Sequence, residues 1–247
     1  MAARTSPPSS SACEGRNTMA LVVRTWNVFH GNALPPRRRG FLREMIELVC
    51  HDAPGVVCLQ EVPVWGIARL EEWSSMQALA VVARPPRVPG RAGVRVTRWN
   101  QGFFRSAFVG QANAVLVARS LAAEDRGHMQ ISDPGRERRV VQTVGVAEKY
   151  LIANLHANRG REVAELELER ARAFAEASTR SGEIVVLAGD FNLRDFQLDG
   201  YSPSTEGIDH IRVLGASASA PLVWPTGRRT SDDIVLSDHA PVEVSIW

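Results

Sequence analysis

Short apolar runs recur along this chain, and several end on polar residues able to do chemistry. Residues 20–23, 56–59, 78–83, 113–117 and 184–188 have the length and composition of buried strands. Residues 138–146 and 150–155 read as two strands joined by a tight turn near Glu148-Lys149, and 242–246 alternates as a final strand. Other segments carry the helical period. Phe41, Met45, Leu48 and Val49 fall on one face of a helix over 41–50, which Asp52-Ala53-Pro54-Gly55 stops. A helix is expected over 66–76. The clearest helix spans 161–178, with Val163, Ala164, Leu168, Ala171, Phe174 and Ala175 on its apolar face. Its charged residues, three and four apart, form solvated pairs. Strand, helix, strand order implies an α/β domain.

Composition narrows the class. A chain of 247 residues with 45% hydrophobic and 23% charged residues is an ordinary globular protein. A net charge of +2 says little by itself, and Lys149 is the only lysine, a bias expected of a GC-rich genome. Cys13, Cys50 and Cys58 are odd in number and lack C-x-x-C spacing, which argues for reduced thiols rather than disulfides or structural zinc. Cys58, inside an apolar run, is read as a core residue. No run of about 18 apolar residues is present to span a membrane. The Ser-, Ala- and Pro-rich residues 1–18 are expected to be a disordered tail without a signal-peptide core. The expectation is one domain over 19–247, cytoplasmic and monomeric, with no membrane anchor and no obligate protein partner.

Between Trp73 and Ala123 there is no acidic residue. Arg84, Arg87, Arg91, Arg95, Arg98, Arg105 and Arg119 are interleaved there with Trp99, Phe103, Phe104 and Phe108. Two readings stand: a surface for polyanions whose aromatics stack on bases, or an arginine-rich loop between core aromatics.

The chemistry lies where strands end. Asn27, Glu61, His156, Asp190 with Asn192, Asp209, and Asp238-His239 each follow or flank an apolar segment. Gly189 permits a backbone conformation closed to other residues, so it is expected to end its strand and turn Asp190 outward. Strands sharing sheets bring such ends to one edge, where open α/β folds place ligands. The carboxylates Glu61, Asp190, Asp209 and Asp238, with the carboxamides of Asn27 and Asn192, are hard oxygen donors suited to Mg²⁺ or Mn²⁺. Two histidines add groups that titrate near neutral pH. His30, His51, His128 and His210 fit no such role and are read as surface or packing residues.

The order Trp26-Asn27, Gln60-Glu61, Asn154-Leu155-His156, Gly189-Asp190-Phe191-Asn192, Ile208-Asp209-His210-Ile211 and Ser237-Asp238-His239-Ala240-Pro241 resembles the endonuclease/exonuclease/phosphatase superfamily. The resemblance covers roughly residues 20 to 247. It implies the deoxyribonuclease I fold, a four-layer α/β/β/α sandwich of two mixed β-sheets with outer helices, and Mg²⁺-dependent phosphoester hydrolysis. It further implies Glu61, Asn27 and Asp238 as metal ligands, and Asp190 and Asn192 as holders of the attacking water and a phosphate oxygen. Asp209 would fix the tautomer of His239, and His156 would contact the scissile phosphate and serve as acid. Arg138 or Arg139 falls where relatives carry a phosphate-contacting arginine, and Asn113 lies in a segment similar to their Gly-Asn-Ala run.

The sequence departs from its relatives in one place that matters. Members like deoxyribonuclease I pair the first histidine with an acidic residue on an earlier strand, and here none lies between Glu72 and Glu124. The Trp-Cys-Asp-Arg segment of inositol polyphosphate 5-phosphatases is missing, although Gly189-Asp190-Phe191-Asn192-Leu193-Arg194 resembles their other motif, and the Gly-Val-Ala segment typical of abasic-site endonucleases is absent too. The expectation is a phosphodiesterase acting on nucleic acid. The alternatives are a lipid or small-molecule phosphoesterase, or a binding protein that has lost turnover.

Overall fold

The computed structural model describes residues 20–37, 39–88, 90–99, 108–203 and 205–247. The expected tail over 1–18, with Cys13, and Phe103, Phe104 and Arg105 of the arginine-rich segment lie outside the described residues. The larger sheet has six strands in the order β11 (Leu222–Val223), β14 (Val242–Ile246), β1 (Leu21–Asn27), β3 (Val56–Val62), β5 (Gln111–Val117) and β4 (Gln77–Arg84). The second sheet has five: β10 (Asp209–Leu214), β9 (Ile184–Asp190), β8 (Tyr150–His156), β7 (Val140–Val146) and β6 (Ala123–Gln130). Both are mixed: β1 and β3 run parallel, as do β8 and β9, while the other pairs are antiparallel. A small third sheet joins β12 (Thr230–Ser231), β13 (Ile234–Leu236) and β2 (Ala33–Leu34).

The apolar runs are unbroken because the central strands are covered on both faces. In β3, Val56 and Cys58 enter the layer between the sheets with Val23, Val115, Val144, Ile152, Val186 and Ile211. Val57 and Leu59 point the other way, against helix α1 (Leu42–Cys50) through Leu42, Met45, Ile46 and Val49. Across the second sheet, Leu151, Ala153, Val185 and Leu187 pack on Ala164, Leu168, Ala171 and Ala175 of a long helix, Arg161–Ala177. These layers make the four-layer sandwich, the deoxyribonuclease I-like architecture.

Three local expectations change. The helix expected over 66–76 is a 3₁₀ stretch, Val64–Arg69, followed by α2 (Leu70–Ser74). Ser75, at φ +58°, ends it. Residues 90–99 of the arginine-rich segment form a helix, α3 (Gly90–Trp99); the long helix over Arg161–Ala177 is therefore α4. Strand β6 has no counterpart in the apolar pattern, because an edge strand with mostly exposed polar residues lacks an apolar run.

The layer between the sheets changes character along its length, and that gradient builds the site. Successive inward residues read Val23, Thr25, Asn27 on β1 and Val56, Cys58, Gln60 on β3. On β8 they read Ile152, Asn154, His156, and on β9 Val186, Ala188, Asp190. Apolar residues fill one end and polar residues the middle. Gln60 Nε2 donates to Asn154 Oδ1 (2.8 Å) and Thr25 Oγ1 (3.0 Å), and Asn154 Nδ2 donates to the carbonyls of Leu59 and Ala114. This buried bridge pins the sheets together directly beneath the chemical end. No described helix is long and apolar enough to cross a membrane.

Candidate active site

Three site residues come from a single row of backbone pairing. His156 of β8 is the register partner of Asp190 on β9, and Asp190 is that of Asp209 on β10. Paired residues in one row project to the same face. Strand β9 therefore continues through Asp190, and Gly189 does not end it. Gly189 instead sets the strand spacing: at φ +145°, a Cβ would lie 1.9 Å from the Leu155 carbonyl oxygen. Glycine lets β9 approach β8 closely enough to set His156 beside Asp190.

The opposite sheet supplies Asn27 and Glu61. Asn27 Nδ2 donates to Asp190 Oδ2 (3.0 Å), joining the two sheets at the site. Glu61 stands at a register shift between Leu59 and Val62 with φ +55°. This conformation is costly for a residue with a side chain and is typical of bulges beside active sites. The loop after β13 brings Asp238 and His239. Ser237 holds that loop to β1, donating through Oγ to the Asn27 carbonyl (2.7 Å) and accepting from His239 N–H (3.1 Å).

At the centre, Asp190 is 1% exposed. Its Oδ1 accepts the Asn192 N–H (3.0 Å), while Oδ2 faces His156 Nε2 at 3.3 Å and His239 Nε2 at 3.8 Å. Burial and the neighbouring Asp209 raise its carboxyl to about 7, against the opposing pull of His239 and of hydrogen bonds from Asn27 and Asn192. His239 Nδ1 lies 2.8 Å from Asp209 Oδ2. Burial pulls this histidine down, but the Asp209 hydrogen bond and charge, with Asp190 and Asp238, outweigh it and raise it to about 10. His239 is therefore an imidazolium at neutral pH.

His156 is its opposite. Arg139 Nη1 approaches Nδ1 of His156 at 2.8 Å. Arginine is only a donor, so Nδ1 must accept, and the ring proton sits on Nε2, facing Asp190. Burial, then the charges of Arg139 and His239, push this histidine well below its ordinary value. The two histidines on Asp190 thus differ in charge.

Glu61, His156, Asp190, Asp238 and His239 line a cleft of about 600 Å³ together with Gln111, Arg136, Arg139, Asn158 and Arg159. Asn192 lines it as well and donates through Nδ2 to the Ala157 carbonyl (2.8 Å). The expected arginines divide. Arg139 reaches the cleft wall, but its three nitrogens engage Asn158, His156 and Glu137. Arg138 does not line the cleft; it bonds Gln130 and the carbonyls of Val82 and Ala83. Asn113 lies one inward position deeper than the cleft, its Nδ2 donating to the Val140 carbonyl, and Gln111 two residues away, itself buried, takes the place in the cleft lining.

Sequence reasoning missed Arg136, Arg159 and Gln111, and it misread His30. That histidine is buried, lines the cleft, and sets Nε2 3.2 Å from Glu61 Oε2. Phe29, His30 and Gly31 all have positive φ, a local twist that only the fold reveals. His210 is a packing residue as expected, bonded to the Leu193 carbonyl and Thr205 against Phe191 and Phe196.

Two donor sets suggest themselves for a cation. Asp190, Asp209 and His239 offer ligand atoms within 4.8 Å of one another. His239, however, is charged and donates its Nδ1–H in a hydrogen bond to Asp209, so its protonated nitrogens have no lone pair to offer. The oxygen set fits better. Asp238 is raised by burial and by the nearby Glu61 charge, despite the opposing His239. Two neighbouring carboxylates lining the cleft have the donor chemistry that suits a hard divalent cation.

A family model for the endonuclease/exonuclease/phosphatase family matches residues 25–240. The chain belongs to this family. Its members hydrolyse phosphoester bonds and generally use a divalent metal. Solved structures agree in fold. A functionally unknown conserved protein of Enterococcus faecalis matches at TM-score 0.66 and 16% identity, over 92% of this chain and 99% of its own. A mannosyl-6-phosphatase of Bacteroides thetaiotaomicron matches at TM-score 0.63 and 15% identity, over 92% and 99%. A humanized D. rerio TDP2 matches at TM-score 0.62 and 14% identity, again over 92% and 99%. No curated protein matches the sequence significantly.

Proposed function

We propose that this family member is a Mg²⁺- or Mn²⁺-dependent phosphodiesterase acting on nucleic acid. One observation carries the reading. The same cleft is lined by Glu61, Asp190 and Asp238 and by Arg136 and Arg159, two exposed arginines that form no ion pair with described residues. Carboxylates and unpaired arginines in one cleft suit a substrate whose phosphate needs a cation and whose further negative charge needs arginine.

The residues divide the work of hydrolysis. Water attacks phosphorus and gives up a proton, the bond to the leaving oxygen breaks, and that oxygen takes a proton from solvent, so that a monoester and an alcohol result. Asp190, raised to about 7, takes the proton of the attacking water while Asn27 and Asn192 hold it in line. His239, charged by virtue of Asp209, stabilises the phosphate oxygens as negative charge builds. His156 donates its Nε2–H as a neutral hydrogen-bond donor. Glu61 and Asp238, with Asn27 beside them, would hold the divalent ion, which neutralises phosphate charge when bound.

A second reading, a phosphomonoesterase, draws on the mannosyl-6-phosphatase of similar fold, since two arginines also suit a doubly charged terminal phosphate. The test is a panel of plasmid DNA, single-stranded DNA, RNA, an abasic-site duplex, sugar phosphates, phosphoinositides, sphingomyelin and bis-p-nitrophenyl phosphate. Each is run with Mg²⁺, with Mn²⁺ and with chelator, beside Asp190→Asn and His239→Ala. Cleavage of nucleic acid, lost with chelator and in both variants, is expected. Turnover of monoesters alone would favour the second reading, and turnover of nothing would favour a binding protein.

A further inference from the structure

Helix α3 places arginines where the cleft does not reach. We propose that Arg91, Arg95 and Arg98 form a track for the phosphate backbone of a nucleic-acid strand running out of the cleft. This rests on the nucleic-acid reading above and extends it to residues outside the catalytic cleft.

The helix is fixed beside the cleft at both ends. Before it, β4 finishes at Arg84, the register partner of Gln111 in the cleft wall, with its guanidinium 3.9 Å from Glu137 of the same wall. The N–H groups of Arg87 and Val88 both donate to the Phe108 carbonyl, closing the neck from which α3 starts. At the far end, Arg98 Cγ lies 3.9 Å from where a Gly40 Cβ would be. Phe41, next in sequence, donates its N–H to the Gly31 carbonyl, adjoining His30 in the cleft. Helix α3 therefore spans the rim between two cleft-lining segments.

Its inner face explains its rotation. Gly93 and Thr97 are buried against Trp65; Trp65 Nε1 donates to Thr97 Oγ1 (3.0 Å), and a Cβ on Gly93 would meet Trp65 at 3.3 Å. Arg91, Arg95 and Arg98 fall on the other side at spacings of four and three, and all are exposed. None forms an ion pair with a described residue, and no acidic residue lies anywhere from Trp73 to Ala123. Elsewhere the protein pairs its surface arginines readily, as Arg43 with Glu47, Arg69 with Glu72 and Arg172 with Glu169 and Glu176. The contrast marks α3 as a face whose arginines are left unpaired among the described residues, since Glu44, which shares a pocket with Arg98, is taken by Arg39. From Arg91 to Arg98 the helix rises about 10 Å, roughly three nucleotide steps of one strand at about 3.4 Å each.

The test compares the wild type with the triple variant Arg91→Gln, Arg95→Gln, Arg98→Gln. Binding of a 30-nucleotide single strand is measured in chelator across a salt series, and turnover of bis-p-nitrophenyl phosphate in Mg²⁺. The variant is expected to bind the strand about ten- to a hundred-fold more weakly and to lower the log–log salt slope by about 2, three contacts at about 0.7 each. Its turnover of the small diester should be unchanged, which shows that the fold and cleft are intact. Equal strand affinity and equal salt slope in the two proteins would overturn the track, as would wild-type binding to anionic vesicles but not to the strand. Because the binding arm needs no turnover, the track can fail while the nucleic-acid phosphodiesterase stands, and the reverse.

Discussion

Arg139 Nη1 lies 2.8 Å from Nδ1 of His156, a cation donating to the back of a cleft-lining histidine. Relatives like deoxyribonuclease I place a carboxylate behind this histidine, which favours the imidazolium. Here the arginine fixes the neutral ring with its proton on Nε2, directed at Asp190.

A neutral donor can be imitated. The amide nitrogen of glutamine falls near the position of Nε2, whereas asparagine reaches only that of Nδ1. His156→Gln should keep much of the activity, and His156→Asn should lose about 10²- to 10³-fold in kcat, the usual cost of removing one such donor. Steady-state kinetics on the small diester measures both. Equal losses would mean that His156 acts as a proton donor after all.

His239 should behave differently, because its charge depends on Asp209. Asp209→Asn is expected to lower kcat/KM by about 10²- to 10⁴-fold with little change in KM. With the carboxylate gone, its pH–rate profile should lose activity at lower pH on the alkaline side than the wild type does.

His239, His156 and Asp190 all shape the pH dependence of stability in chelator; Asp190, raised to about 7, contributes fully below about pH 4 and loses that contribution as pH rises through 7. His239 is raised in the folded protein, to about 10, so its contribution is complete below about pH 6.5 and is lost as pH rises toward 10. His156 is lowered, so its contribution is present above about pH 6.5 and is lost as pH falls below that. Urea unfolding of the wild type should show a decline as pH rises toward 10, while on the acid side the Asp190 gain opposes the His156 loss. His239→Gln should flatten the alkaline decline.

Gly189→Ala should be among the most damaging single-methyl additions in the protein. The new Cβ would meet the Leu155 carbonyl at 1.9 Å at a φ few other residues adopt. A loss on the order of 3 kcal/mol or more is expected, read as a fall in the urea midpoint. Recovered protein should also lose activity, because β8 and β9 can no longer hold His156 beside Asp190.

Much of this was legible in the chain. Buried strands such as β3 and β9 announce themselves because both faces are apolar, and their polar last inward residues mark the chemical edge. What escaped has physical reasons. Strand β6 is an exposed edge, and its polar residues resemble a loop. Arg136 and Arg159 lie on loops that no strand period locates, and His30 reaches Glu61 only through a positive-φ turn. Arg138 and Arg139 are adjacent and so point to opposite faces of the chain, a choice that register alone decides. Asn113 and Gln111 differ by one inward position, which sequence resemblance does not resolve.

Central to the proposed chemistry is a divalent cation held by Glu61 and Asp238 opposite Asp190. The most direct test is Mn²⁺ binding measured by electron paramagnetic resonance for the wild type, Glu61→Gln and Asp238→Asn, each checked for folding by circular dichroism. Saturable binding to the wild type is predicted, competed by Mg²⁺ and weakened at least roughly ten-fold in each variant, the loss expected on removing one hard ligand. Folded variants that bind Mn²⁺ as tightly as the wild type would contradict it.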